Sequence, residues 1–241
     1  MNPPSVCIII PCHNESANIL KVLESLQKTD KNFTIVVVDD GSQDNSVELI
    51  KSVKSDKIIP LVLPFNCGIG TAVETGLLYA WRHNADYAVK FDGDGQHLAE
   101  EISLLLDILD KDEADLVVGS RFVADNEGFK STAIRRVGIR FFHALSWLLT
   151  GQGIADSTSG FRAYNRKALA FAAKYYPSFD YPEPEENILF LRNKFRVKEV
   201  PCRMNIRQGG RSSIRPWKAL YYMVKVALAM TMAALRAPVI R

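Results

Sequence analysis

An α/β fold on a largely parallel sheet is predicted by three features of the sequence. Short β-rich apolar runs alternate with helically patterned segments through the first half. Four of those runs end in clusters of small and polar residues, "PCHNE", "DDGSQD", "FNCGIG" and "DGDGQH". In addition, 241 residues with 47% hydrophobic side chains suffice for one full core. The expected organisation is a main domain over residues 1–215 followed by a specialised tail over 216–241.

In chain order, strands are expected over residues 6–10, 34–38, 58–63, 87–91 and 116–119, each rich in β-branched, aromatic or Leu side chains. Helices are expected over 15–27, 45–53, 70–81 and 100–109, where apolar residues recur at helical spacing, as Ile19, Leu20, Leu23 and Leu26 do. Residues 131–149 read as an amphipathic helix. Arg136, Arg140 and His143 fall on one side and Val137, Phe141, Leu145 and Leu148 towards another, a pattern that suits core packing or a membrane surface. Residues 156–164 read as a loop entering a strand, 183–194 as a short helix with an acidic first turn, 195–204 as a last strand and 205–216 as a Gly/Ser/Arg loop. The tail from Trp217 is nearly all apolar, but Lys225 interrupts it and its span is marginal for a bilayer core of about 30 Å. On a helix, Lys218, Lys225 and Arg236 share one stripe. That fits a helix lying in a membrane interface with Trp217, Tyr221 and Tyr222 at the boundary, or one docking on a partner protein.

The formal charge of +3, from 30 basic and 27 acidic residues, is too balanced to indicate a nucleic-acid partner. Cysteines at 7, 12, 67 and 202 lack zinc-site spacing and are too sparse for a disulfide scaffold, which fits a reducing compartment. The N-terminus enters a strand without a basic leader, so the chain is expected on the cytoplasmic side. The first strand is followed by "PCHNE" and not by G-x-G-x-x-G, which argues against a dinucleotide-binding oxidoreductase.

In parallel α/β sheets ligands bind beyond the carboxyl ends of the strands, where the four polar clusters fall. Asp92 and Asp94, after the fourth strand, are spaced to reach one hard divalent cation, which prefers oxygen ligands and bridges the oxygens of a diphosphate. The same tripeptide also occurs as a plain Asx-rich turn, or as the nucleophilic motif of phosphohydrolases, which belongs after a first strand and not a fourth.

Six ordered blocks carry a more specific signal: "PCHNE" (11–15), "VVVDDGSQDNS" (36–46), "NCGIGTAVETGL" (66–77), "FDGDGQH" (91–97), "VVGSRF" (117–122) and "STSGFRAYNRKAL" (157–169). They resemble the conserved blocks of family 2 glycosyltransferases of the GT-A fold, nearest the branch of dolichyl-phosphate mannose synthases and bacterial polyprenyl-phosphate glycosyltransferases. The resemblance runs from about residue 5 to residue 215. It implies a GT-A (Rossmann-like) mixed, mostly parallel sheet flanked by helices, to which the pattern of residues 216–241 adds an amphipathic C-terminal helix. It also implies that Pro11, His13 and Glu15, with Asp39, Asp40 and Gly68, hold a nucleotide sugar, and that Asp92, Asp94 and Gln96 bind Mg2+ or Mn2+. Arg121 and Arg162 match positions that grip phosphate oxygens, and Arg207 and Arg211 match a loop that closes over them. Glu185 and Glu186 lie where relatives that glycosylate hydroxyls place a catalytic carboxylate.

Two departures leave the donor open: Ser213 stands where mannose synthases usually carry lysine, and Gly68-Ile69-Gly70 replaces glycine-lysine-glycine. No Q-x-x-R-W occurs, which excludes a processive polysaccharide synthase, and the intact Asp92, Asp94 and Gln96 argue against a non-catalytic scaffold. The expected reaction moves a hexose, with inversion, from a nucleotide diphospho-sugar to polyprenyl phosphate at the inner face of the cell membrane, with a small membrane protein as a further partner. UDP-glucose is favoured as donor over GDP-mannose. A phosphate monoester, with its second pKa at about 6, is mostly dianionic at neutral pH and needs no base. The alternative acceptor, a sugar hydroxyl on a lipid-linked oligosaccharide, would need one, with Glu185 or Glu186 in that role.

Overall fold

The chain alternates β1 (Val6–Cys12), α1 (Ile19–Thr29), β2 (Thr34–Asp39), α2 (Ser46–Ser52), β3 (Ile58–Val62), α3 (Ile69–Arg82), β4 (Tyr87–Lys90), α4 (Ile102–Asp110) and β5 (Leu116–Ser120). It continues through α5 (Ala133–Thr150), β6 (Arg162–Asn165), α6 (Arg166–Tyr175), α7 (Pro182–Arg192), β7 (Val197–Pro201) and α8 (Ala219–Leu235). This computed structural model describes residues 3–30, 32–122, 133–177, 181–205 and 219–239. Arg207 and Arg211 lie outside the described residues, as does nearly all of the loop expected over 205–216.

The strands form one sheet in the order β3-β2-β1-β4-β6-β5-β7. The first four neighbours are parallel. β6 is wedged between β4 and β5 and runs antiparallel to both, and β7 lies parallel to β5. The central strand β1 is buried almost throughout, as a parallel strand covered on both faces must be. Pro60 lies in β3 at the sheet edge, where a missing ladder donor is tolerated.

Strand alternation sorts the core into two layers. Ile8, Ile10, Val37, Val89 and Phe91 face one side with Ile19 and Leu23 of α1 and Leu105 of α4. Ile9, Val36, Val38 and Ala88 face the other with Val73 and Leu77 of α3 and Leu169 of α6. A third cluster of Phe142, Ile188, Val226, Met230 and Ala233 joins α5, α7 and α8.

Several boundaries differ from the sequence reading. α1 begins at Ile19 and not at residue 15, because Asn14 takes a φ of 55° and the Glu15 carbonyl accepts the N–H groups of Asn18 and Ile19 in a turn. The segment after residue 165 forms α6, capped by the Asn165 side chain, which accepts the Ala168 N–H at 2.9 Å. Among the described side chains of α5, Phe142 and Ser146 are buried and Leu145 and Leu149 pack against the same cluster, while Phe141, Trp147 and Leu148 face outward. On α8, Val226, Met230 and Ala233 face inward, and Tyr221, Val224, Leu228, Met232 and Leu235 point out. No helix among the described residues is long and apolar enough to cross a membrane.

Candidate active site

β1 pairs with β2 on one side and β4 on the other, so the loops after these strands spread around one opening at their carboxyl ends. Those loops are stitched together. Asn14 N–H donates to Ser42 Oγ at 2.9 Å, Gln43 N–H to Asn14 Oδ1 at 2.8 Å, and Glu15 N–H to Ser46 Oγ at 2.9 Å. Gly41, at a φ of +63°, comes so close to the next loop that a Cβ would lie 2.6 Å from the Asn66 nitrogen. Between these loops opens a crevice of about 550 Å³ whose lining includes Pro11, His13, Glu15, Asp40, Gly68, Asp92 and Asp94. An adjoining hollow of about 610 Å³ shares His13 and Asn66 and adds Asp39, Ser42 and Phe65.

The His13 Nδ1 lies 2.8 Å from the Asp40 carbonyl, which can only accept, so the ring carries its proton on Nδ1. Its Nε2 accepts from the side-chain amides of Asn14 at 3.0 Å and Asn66 at 3.1 Å. The Asp40 carboxylate accepts the backbone N–H groups of Cys67 at 2.6 Å and Gly68 at 2.9 Å, fixing the entry to α3. Asp39 accepts the N–H and the hydroxyl of Ser42. The two adjacent acids thus shape the walls as well as facing the opening.

The turn after β4 presents the other pair. Asp94 accepts the Gln96 N–H at 3.1 Å and the Gln96 side-chain amide. Asp92 is held from behind: its N–H donates to His97 Nδ1 at 2.9 Å, and His97 stacks on Phe161 with ring centroids 4.8 Å apart. Burial pushes the His97 imidazole below its usual pKa, against the pull of the Asp92 and Asp94 carboxylates, in keeping with an Nδ1 that accepts. Gly160 abuts the same carboxylate, and a Cβ there would lie 2.7 Å from Asp92 Oδ2. Asp92 Oδ1 is buried with no hydrogen-bond partner among the described residues. An orphaned carboxylate oxygen beside a second carboxylate is a donor set that a hard cation satisfies. No three His, Cys, Asp or Glu side chains converge to hold a metal among the described residues. Two carboxylates without a closed cage suit an ion that completes its shell from water and substrate oxygens.

The remaining sequence-derived residues divide. The Arg121 guanidinium forks onto Asp156, with Nε at 2.8 Å and Nη2 at 2.7 Å, and its own N–H also donates to Asp156 at 3.0 Å. Against the effect of burial, Asp156, Asp92 and Glu183 raise its pKa, which places Arg121 in the field of the carboxylate turn. Arg162 is enclosed. Its guanidinium donates to Glu186 Oε2 at 2.9 Å, Asn187 Oδ1 at 2.8 Å and the carbonyls of Ser159, Ser157 and Glu183, so it does not reach the opening. Glu186 is equally buried and also accepts the Tyr164 hydroxyl at 2.8 Å. Glu185 lines a different cavity of about 350 Å³ with Thr71, Glu74, Tyr176 and Arg236.

Sequence reading missed Asp156, Lys90 and Glu183. Asp156 sits in "DSTSG", where a carboxylate just ahead of a matched block was the available signal. Lys90 offered another: a lone charge inside the buried run "YAVKF" demands a partner.

Comparison with known proteins bears on the family and the fold. The chain is 31% identical over 213 residues to UDP-N-acetylglucosamine–dolichyl-phosphate N-acetylglucosaminyltransferase of Methanococcus voltae, covering 82% of this chain and 84% of the relative. It is 31% identical over 229 residues to polyprenol monophosphomannose synthase of Mycolicibacterium smegmatis, covering 91% and 84%. The crystal structure of glucosyl-3-phosphoglycerate synthase from Mycobacterium tuberculosis with Mn2+, UDP and phosphoglyceric acid superposes with a TM-score of 0.71 at 18% identity, covering 98% of this chain and 80% of that one. The model of glycosyl transferase family 2 matches residues 7–171, well over half of the chain, and this protein therefore belongs to that family, a glycosyltransferase on a GT-A fold.

Proposed function

We propose that the chain moves a hexose from a nucleotide diphospho-sugar, UDP-glucose before GDP-mannose, to polyprenyl phosphate at the cytoplasmic face of a membrane, inverting the anomeric carbon. The observation that carries this reading is the meeting of Asp92 and Asp94 with His13, Glu15 and Asp40 on one crevice. His13, with its fixed tautomer, and Asp39 and Asp40 meet the donor and acceptor groups of base and ribose. Asp92 and Asp94, with Gln96 holding Asp94, would bind the divalent ion, Mg2+ or Mn2+. When bound, that ion supplies positive charge where the leaving diphosphate becomes more negative. Arg121, fixed by Asp156 near Asp92, adds a guanidinium to the same field.

The state of the glutamates supports a phosphate acceptor. Glu186 is sealed against Arg162 and Glu185 opens on another cavity, so a hydroxyl acceptor would find no exposed base in either. A dianionic phosphate needs none. Relatives named for dolichyl or polyprenol phosphate match over most of their length. The outward apolar faces of α5 and α8 give such a lipid's membrane a place to meet the protein, and residues 216–241 would serve as the membrane- or partner-associating segment. A small membrane protein would be a second occupant of that face.

The test is transfer from radiolabelled UDP- and GDP-sugars to undecaprenyl phosphate with Mg2+ or Mn2+, and with EDTA as control. A metal-dependent, organic-extractable product is expected. Donor hydrolysis without lipid product would reject the lipid-phosphate acceptor.

A further inference from the structure

Lys90 and Arg162 stand directly opposite each other across the antiparallel β4–β6 ladder. Both are fully buried. They lie on the face of the sheet that also carries Ala88 and Tyr164, since residues two apart share a face. Like charges directly opposite on a ladder repel, and buried cations cost heavily unless paired. The fold accommodates them by laying the start of α7 across the ladder. Glu183 and Glu186, one helical turn apart, meet the two cations: Lys90 Nζ donates to Glu183 Oε1, and Arg162 Nη1 to Glu186 Oε2 at 2.9 Å. The result is a buried quartet of two cations and two anions. Burial alone would raise the Glu183 carboxyl, but Lys90 and Arg162 outweigh it and hold the pKa below its usual value.

Such a quartet is a poor way to gain stability, because apolar side chains of similar volume often do as well or better. Its location gives it another use. Lys90 is the last residue of β4, two before Asp92. Arg162 opens β6, two after the Gly160 that abuts the Asp92 carboxylate, and it holds the carbonyls of Ser157 and Ser159 on the approach to that glycine. The strand that leads to Asp92 and the loop that abuts its carboxylate are therefore anchored to the same helix.

We propose that Lys90, Glu183, Arg162 and Glu186 are positioning residues that hold the Asp92 carboxylate in place for the cation, with α7 as the rigid member. This rests on the metal role of Asp92 proposed above. The effect runs through the orientation of Asp92, since none of the four lines the crevice among the described residues.

The test uses the full chain and three measurements: Mn2+ binding by electron paramagnetic resonance with the metal alone, transfer kinetics, and thermal unfolding. Glu183→Asp keeps the charge and shortens the side chain by one methylene. Lys90→Met with Glu183→Leu replaces the pair by apolar groups of similar size. In either variant, with melting close to that of the unaltered protein, Mn2+ affinity or kcat should fall about ten- to a hundredfold, the usual effect of removing support behind a metal ligand. Should the double variant fail to fold, Glu183→Asp decides. Wild-type Mn2+ binding and kcat in a folded variant, while Asp92→Asn loses Mn2+ binding, would overturn the positioning role alone. Unchanged Mn2+ binding in Asp92→Asn would overturn the metal reading itself.

Discussion

Asp94 is half-buried in the turn after β4, where its carboxylate accepts from the backbone and the side chain of Gln96 and belongs to no core cluster. Asp94→Ala is therefore expected to abolish metal-dependent transfer while the thermal unfolding midpoint stays put. Normal turnover in that variant would remove Asp94 from the site. Asp44 supports a pH prediction. Burial acts to raise its pKa, but the Ser46 hydroxyl and the Ser16 and Ser46 amides win and lower it to about 2. A carboxyl lowered on folding gives stability that is complete above its unfolded pKa of about 3.9 and lost as the pH falls through the folded value. Urea midpoints followed from pH 5 downward should thus drop through this window in the unaltered protein and drop less in Asp44→Asn. Asp92 and Asp94 stood out in the sequence because two carboxylates one residue apart, interleaved with glycines, suit a hard cation. Lys90 and Asp156 were not, because what gives them meaning lies 93 residues away at Glu183 and 35 residues away at Arg121.

At the scale of elements, the end of β5 is tied to the loop before β6 by the Arg121–Asp156 fork, and that loop is tied to β7. The backbone N–H groups of Ala155 and Asp156 both donate to the Glu199 carboxylate, each at 2.7 Å. Asp156 is fully buried and Arg121 nearly so, which makes this a pair whose breaking exposes an uncompensated charge. Asp156→Asn should cost about 3–5 kcal/mol in equilibrium urea unfolding. A loss within about 0.5 kcal/mol, the range of an ordinary surface substitution, would show that the fork bears no load. Apolar patterning located β1 to β5 and α1 to α4, each with its own β-rich or helically spaced run. β6 was expected only as the strand that the loop over residues 156–164 enters, because its four residues include a buried arginine and follow a Ser/Thr/Gly stretch instead of an apolar run. Its neighbour α6 is dominated by alanines and basic residues, so its apolar stripe is thin; the Asn165 cap was the readable signal.

At the scale of the whole molecule, one surface stands out. α5 and α8 pack on α7 through a shared apolar cluster, yet also expose Trp147 at 62%, Leu148 at 73%, Leu228 at 59% and Met232 at 61%. Two helices that pack together thus each expose large apolar side chains, surface that a membrane or a partner could cover. On the proposed reading, Leu228→Glu with Met232→Glu should reduce co-sedimentation with anionic phospholipid vesicles and lower transfer to undecaprenyl phosphate, with the thermal midpoint unchanged. Equal co-sedimentation would remove the bilayer as the occupant of this face.

The antiparallel wedge β6 also orders the history of the chain. β5 and β7 have no place in the sheet until residues 162–165 have slotted in beside β4, because β5 joins the rest only through β6. Synthesis runs from the N-terminus, and parallel, long-range pairings form slowly. A nascent chain can therefore close the half-sheet β3-β2-β1-β4 first, carrying the loops after β1, β2 and β3, while the β4 edge stays open and the Asp92 turn lacks both Gly160 and α7. On the proposed reading, assembly would end at the functional centre, with the loops that face the nucleotide built before the carboxylate turn is complete.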